Sequence, residues 1–222
     1  MFGQIVGEIL PQAIGIALSP IPIIAAILML LSPRARRTAP AFAVGWLLGI
    51  LVVALVVMLF VPASAAAGSG GGGTAVGLVK LALGALFVLM ALGQWRKRPE
   101  PGQEAELPKW MAGVDRMSPP AALAVGAALS ALNPKNLSLA LTAGISLARL
   151  SGGEAVGGLC LFVLLAGSSV LVPVVMYLLF SGRMARPLGA LKDWLTANNA
   201  TVMFTVLLVL GAVLVGKGLA AF

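Results

Sequence analysis

Six apolar runs, at about 4–31, 41–61, 75–95, 119–147, 155–180 and 199–220, fill most of this 222-residue chain. A helix needs about 20 apolar residues to cross the hydrocarbon core of a bilayer. Each run therefore predicts one crossing, and the chain reads as an all-α integral membrane protein with six transmembrane helices. The first and fourth runs exceed what a crossing needs, which predicts bent or interrupted helices. Both contain proline after the same kind of phrase. Gly15-Ile16-Ala17-Leu18-Ser19 leads into Pro20-Ile21-Pro22, and Gly126-Ala127-Ala128-Leu129-Ser130 leads into Ala131-Leu132-Asn133-Pro134-Lys135-Asn136. The phrases lie 111 residues apart, half the chain.

That spacing predicts an internal repeat of three helices, with residues 1–98 as the first unit, 99–117 as a connecting loop and 118–222 as the second. Three is odd, so the two units insert in opposite orientations. Ala43-Val44-Gly45 recurs as Ala155-Val156-Gly157, Val61-Pro62 as Val172-Pro173, and Leu83-Gly84-Ala85 as Leu210-Gly211-Ala212, in the same order. Matched helix breaks in two inverted halves are the sequence sign of a transporter binding site, because irregular backbone at membrane depth survives only where it is packed or lines a cavity.

Charge sets the orientation. Of the 15 Lys and Arg, 11 fall in three alternate loops: Arg34, Arg36 and Arg37; Arg96, Lys97, Arg98, Lys109 and Arg116; Arg183, Arg186 and Lys192. The positive-inside rule puts those loops in the cytoplasm and both termini outside. Net charge is +8, which reads as orientation and attraction to anionic lipid heads rather than as affinity for nucleic acid. Met1 to Leu10 carries Glu8 and no basic residue, unlike a secretory signal. Trp46, Trp95, Trp110 and Trp194 lie near the basic face and are expected to be interfacial anchors. Two stretches, Trp110/Val114/Met117 and Met184/Leu188/Leu191/Leu195, are amphipathic, fitting either the leaflet surface or packing beneath helix ends. Residues 68–73 form a flexible Gly-rich linker.

The candidate chemistry sits at the breaks. Pro20 and Pro22 lack amide hydrogens, so carbonyls about four residues upstream lose their donors and are free for a cation or a hydroxyl. Lys135 lies about a dozen residues from the end of its run, too deep for easy snorkelling, and an intramembrane cation is a functional candidate by default. Asn133, Pro134 and Asn136 flank it, and Ser130 lies one turn earlier. With Ser19, Pro20, Pro22, Lys80 and Glu8 these make the expected substrate-binding set, with Glu8 pairing with Lys80 or Lys135 or facing water. Gln12, Ser168 and Ser169 are candidates for a polar path. Gly45, Gly49, Gly84 and Gly157 fit close helix contact. The two breaks are expected to meet mid-bilayer around a wet, ligand-sized chamber.

Other chemistries are excluded or unsupported. There is no histidine, and Cys160 is the single cysteine, so a Ser–His dyad, a His metal cluster and an internal disulfide are impossible. No phosphate-cradling Gly-rich loop ends in Lys-Ser/Thr, so the chain is not an ATPase. No convincing nucleophile–base set is present. We expect no enzyme activity, cofactor or metal.

The strings Leu18-Ser19-Pro20-Ile21-Pro22-Ile23-Ile24, Ser32-Pro33-Arg34-Ala35-Arg36, Gln94-Trp95-Arg96-Lys97-Arg98-Pro99, Pro108-Lys109-Trp110-Met111 and Asn133-Pro134-Lys135-Asn136-Leu137 resemble the glycolipid-addressing (GAP) family, which includes the sulfolipid-addressing proteins, within the lysine-exporter superfamily. The resemblance implies a bacterial plasma-membrane exporter or flippase-like secondary transporter for a polar envelope lipid or glycolipid, and it suggests a homodimer among membrane lipids. Amino-acid exporters of the superfamily usually carry Pro-Gly-Pro in the first helix. Here Ile21 replaces the glycine, which favours an apolar or lipidic substrate. The alternatives are export of a small metabolite, amino acid or ion, and a non-transporting scaffold for envelope-lipid synthesis or export machinery.

Overall fold

The computed structural model describes residues 2–61, 74–98 and 108–220. The 68–73 linker, the repeat match at Pro62 and residues 99–107 of the 99–117 connection lie outside them. The described residues form helices and their short connections, without strands. In chain order these are α1 (Phe2–Ala17), α2 (Pro20–Leu30), α3 (Ala35–Phe60), α4 (Thr74–Arg96), a 3-10 helix (Lys109–Arg116), α5 (Pro119–Ala131), α6 (Pro134–Leu147), α7 (Gly152–Ser181) and α8 (Arg183–Leu219). α7 and α8 are separated by a kink at Phe180, whose φ −131°, ψ 39° leave the helical basin.

Four helices, α3, α4, α7 and α8, are long and apolar enough to cross a membrane, and α1 with α2 makes a fifth candidate bent by 54°. The chain is a multi-pass membrane protein. The fourth apolar run is divided into α5 and α6, of 13 and 14 residues. Both breaks fall where proline predicts them. α1 stops at Ala17 and α2 starts on Pro20; α5 stops at Ala131 and α6 starts on Pro134. Proline suits a first helical position, where its missing N–H would have no partner anyway.

Glycine sets how closely the helices approach. A Cβ on Gly45 would strike the Leu123 carbonyl, one on Gly49 the Ser130 hydroxyl, and one on Gly126 the Phe42 carbonyl, so α3 and α5 touch backbone to backbone. α4 and α8 do the same. A Cβ on Gly84 would stand 3.0 Å from the Gly211 carbonyl oxygen, and one on Gly211 would stand 3.0 Å from that of Gly84. Gly157 has open space where a Cβ would go; its neighbour Gly158 is the one packed, against Leu147 and Leu150.

Two expectations about the basic end change. Trp46 is fully buried. It lies three turns into α3, where the missing Cβ of Gly126 lets the two backbones close over it, so it is core and not an anchor. Trp95, Trp110 and Trp194 are at least 36% exposed, as anchors require. Each amphipathic stretch is packed only in part: Val114, with the 3-10 helix against α2, and Leu188 and Leu195 on α8 are buried, while Trp110 and Leu191 stay exposed. The basic end is tied by Arg34, whose Nη1 donates to the Arg116 carbonyl at 3.2 Å, and by the Trp95–Phe204 ring contact at 4.6 Å.

Candidate functional site

The geometry of the first break follows from the two prolines. Pro20 has no N–H for the Ile16 carbonyl and Pro22 none for the Leu18 carbonyl. Ser19 turns extended (φ −110°, ψ 99°), and its Oγ donates to the Ile16 carbonyl at 2.7 Å. The Leu18 carbonyl accepts from Lys135 Nζ at 3.3 Å. Lys135 Nζ also donates to the Gly15 carbonyl at 2.7 Å and to Ser19 Oγ at 2.8 Å. All three partners lie in the last turn of α1 or just beyond it, the negative end of the helix dipole.

The second break supplies the cation. Asn133 caps α6, its Oδ1 accepting from the Lys135 amide at 3.0 Å, and Pro134 follows at the first helical position. The cap places Lys135 and Asn136 side by side in the first turn, aimed at α1. Ser19 Oγ is 3.2 Å from Asn136 Oδ1, and Asn136 Nδ2 donates to the Leu129 carbonyl at 3.3 Å, reaching back across its own break. Lys135 and Asn136 are both fully buried and Ser19 nearly so. An ammonium removed from water at this depth is tolerated only with its donors satisfied. Here three protein oxygens satisfy them.

The two breaks therefore meet, but they are closed upon one another. Among the described residues Lys135 is shut off from water, its side chain fully buried and its ammonium bound to carbonyls freed by the other half. Ser130 stands apart from this knot. Its Oγ back-bonds to the Gly126 and Ala127 carbonyls at 3.1 and 3.0 Å while packing on Gly49.

A cavity of about 540 Å³ opens beside the knot, at the end of the bundle opposite the basic loops. Leu139 of α6 and Leu210 of α8 touch both regions, since each packs where a Cβ of Gly15 would stand. The walls are mainly aliphatic. The polar lining includes Glu8 and Gln12 of α1, Lys80 of α4, Thr142 and Ser146 of α6, Arg149 just beyond it, and Lys217 of α8. Such a volume falls in the ordinary range for a ligand site.

Glu8 pairs with neither Lys80 nor Lys135. Its Oε2 accepts from Arg149 Nη2 and, at 2.9 Å, from Ser146 Oγ. The reason is register: Ser146 and Arg149 share one face at the end of α6, level with the second turn of α1. Sequence reading missed both residues. The signal was present, since Arg149 is one of only four basic residues outside the three basic loops. Gln12 Oε1 is buried without a hydrogen-bond partner. Ser168 donates to the Leu165 carbonyl at 2.7 Å, and Ser169 Oγ is buried without a partner.

Because the Glu8 and Arg149 side chains are 38% and 17% exposed, their pair contributes little. Glu8→Gln is expected to lower stability by no more than about 1 kcal/mol. Thermal melts of detergent-solubilised protein check this: the gap to the wild type should narrow as salt rises, because salt screens exposed charges.

No curated protein and no solved structure matches the chain. A protein-family model described as Sap, sulfolipid-1-addressing protein, matches residues 9–220. That span takes in both proline breaks, the Lys135 knot and all of the cavity lining but Glu8, and the chain belongs to the sulfolipid-1-addressing protein family.

Proposed function

We propose that this protein is an exporter or flippase-like secondary transporter that moves a polar lipid or glycolipid of the cell envelope across the bacterial plasma membrane. The observation that carries the reading is the bridge from Lys135 to the Gly15 and Leu18 carbonyls and the Ser19 hydroxyl. It joins the two halves of the chain at their helix breaks, where a repeat-built transporter holds its substrate. The α1/α2 and α5/α6 pairs each make one crossing, giving six in a 3 + 3 inverted repeat. The reciprocal packing of Gly84 and Gly211, which match in the repeat, supports a pseudo-two-fold axis between them.

In this reading the basic loops face the cytoplasm, the termini lie outside, and the cavity opens outward. The substrate's polar head displaces the Lys135 contacts at mid-membrane while its chains stay in lipid or against the aliphatic walls. The halves then rock about the knot, and the head leaves through the cavity. The family's name points to a lipid cargo, as does Ile21, which narrows the break for a free amino acid. The scaffold alternative relies on the basic, Trp-bearing loop before α5 and the amphipathic start of α8 as docking faces, of which Val114, Leu188 and Leu195 are spent on packing.

The test is transport by the full chain in liposomes, comparing a fluorescent polar glycolipid with radiolabelled amino acids. Lipid movement without amino-acid flux is expected; the reverse selects the metabolite-exporter alternative, and neither overturns transport. Pro22→Ala sharpens it. The variant returns an N–H to the Leu18 carbonyl, in competition with Lys135, and removes a helix-breaking ring. We expect a straighter α1–α2, unchanged or higher thermal stability, and at least tenfold slower lipid movement. Unaltered transport would remove the break from the mechanism.

A further inference from the structure

Four basic residues lie outside the cytoplasm-type loops, and the positive-inside bias makes each of them unexpected. One is Lys135, used up within the protein. The other three, Lys80, Arg149 and Lys217, come from α4, the end of α6 and α8, yet all line the one cavity described above. The cavity's single acid, Glu8, is bound to Arg149. Lys80 and Lys217 have no carboxylate within salt-bridge distance among the described residues. Lys80 thus faces an aliphatic hollow with no carboxylate at hand, and Lys217 faces it with only the Arg149-bound Glu8 acting on it from beyond salt-bridge distance. In the same hollow, Gln12 is 6% exposed and its Oε1 accepts from no donor. A buried amide oxygen left without a partner is costly and calls for one.

We propose that this cavity is a binding site for an amphiphile with an oxyanion head of the phosphate type and a hydroxyl near it. Lys80 and Lys217 neutralise the oxyanion, Gln12 Oε1 accepts from the hydroxyl, and the aliphatic walls formed by Leu139, Leu210 and Leu214 take the first part of an apolar chain. The Glu8–Arg149 pair closes one side and keeps the third cation from adding to the charge. This site is distinct from the Lys135 knot, which water does not reach, and its occupancy does not require that the bound molecule be carried.

Calorimetric titration of the detergent-solubilised full chain tests it. The probes are dihexanoylphosphatidylglycerol, its phosphatidylcholine and phosphatidic acid counterparts, and inorganic phosphate. Phosphatidylglycerol is expected to bind at least tenfold tighter than phosphatidylcholine. The double variant Lys80→Gln/Lys217→Gln should abolish that preference, while Arg183→Gln/Arg186→Gln at the opposite end leaves it intact. Lys80 and Lys217 lie partly exposed near helix ends, so the double variant should stay folded, as its melting curve will report. Gln12→Leu should weaken phosphatidylglycerol more than phosphatidic acid, which has no head hydroxyl. Inorganic phosphate binding that needs both lysines assigns the site to a free anion; binding of the lipid alone assigns it to a headgroup. Equal affinity for the anionic and zwitterionic lipids, or wild-type affinity in the double variant, overturns the proposal. Because no transport is measured, such a failure leaves the export reading to stand or fall by the liposome assay.

Discussion

Lys135→Met is expected to stop transport, by at least about a hundredfold, while leaving the protein folded. Methionine has nearly the length of the lysine stem and fills the same space without a cavity. Two large terms oppose each other in stability. Loss of the ammonium removes a desolvation cost of several kcal/mol. It also leaves the Gly15 and Leu18 carbonyls unpaired, at about 1–3 kcal/mol each. These nearly cancel, so the melting curve should move by the equivalent of no more than about 2 kcal/mol. The functional consequence has no such compensation. If the cation is what the substrate head displaces, its removal deletes the attraction that draws the head to mid-membrane and the contact that re-forms when the head leaves.

Two companion variants separate this account from a merely structural one. Ser19→Ala keeps the cation but loses the hydroxyl that bridges it to the Ile16 carbonyl and Asn136; transport should fall about tenfold. Lys135→Arg keeps the charge but forces a wider head into a site with no free space, at about 1–3 kcal/mol of overpacking, and should not restore wild-type rates. Wild-type transport by Lys135→Met would show that the knot only fastens the two halves together.

How much of this was legible before folding depends on the range of the interaction. The two breaks could be placed to within two residues, because proline acts through its own missing N–H and its own ring. The apolar runs located the helices for a similar reason: hydropathy is a sum over neighbours in the chain. What was hidden is lateral. That Lys135 is important follows from its depth; that its partners are Gly15, Leu18 and Ser19 needs the rotation of α6 against α1. That rotation also turned the expected open chamber into a closed knot. Likewise Glu8 was recognised as the lone acid of the first helix, but Arg149 became its partner only through the level at which α6 ends. Trp46 was misread because sequence distance from a basic loop does not reveal which side of α3 meets α5.

Gly126→Val should be the most damaging single change outside the site. Its Cβ would fall on the Phe42 carbonyl and within 2.9 Å of the Trp46 amide nitrogen, both backbone atoms of α3 that cannot turn aside as a side chain can. To admit two methyl groups as well, α3 and α5 must separate. That opens the contact that buries Phe42 and Trp46 and pulls at Gly45 and Gly49, whose own missing Cβ atoms face α5. Overpacking with a flexible neighbour costs about 1–3 kcal/mol. Against rigid backbone, with two large aromatic side chains losing contacts, the cost should exceed that range. Among lipids no hydrophobic force draws the helices back together, so close van der Waals contact is the main thing lost. We expect a yield of monodisperse protein well below that of the wild type and a melting temperature lower by more than about 5 °C. Gly93→Val, where a Cβ would meet only open space, should leave both nearly unchanged. The contrast between these two glycine variants, each inside an apolar helix, separates steric exclusion from the general cost of valine in a helix. Equal damage from both would refute the backbone-contact account.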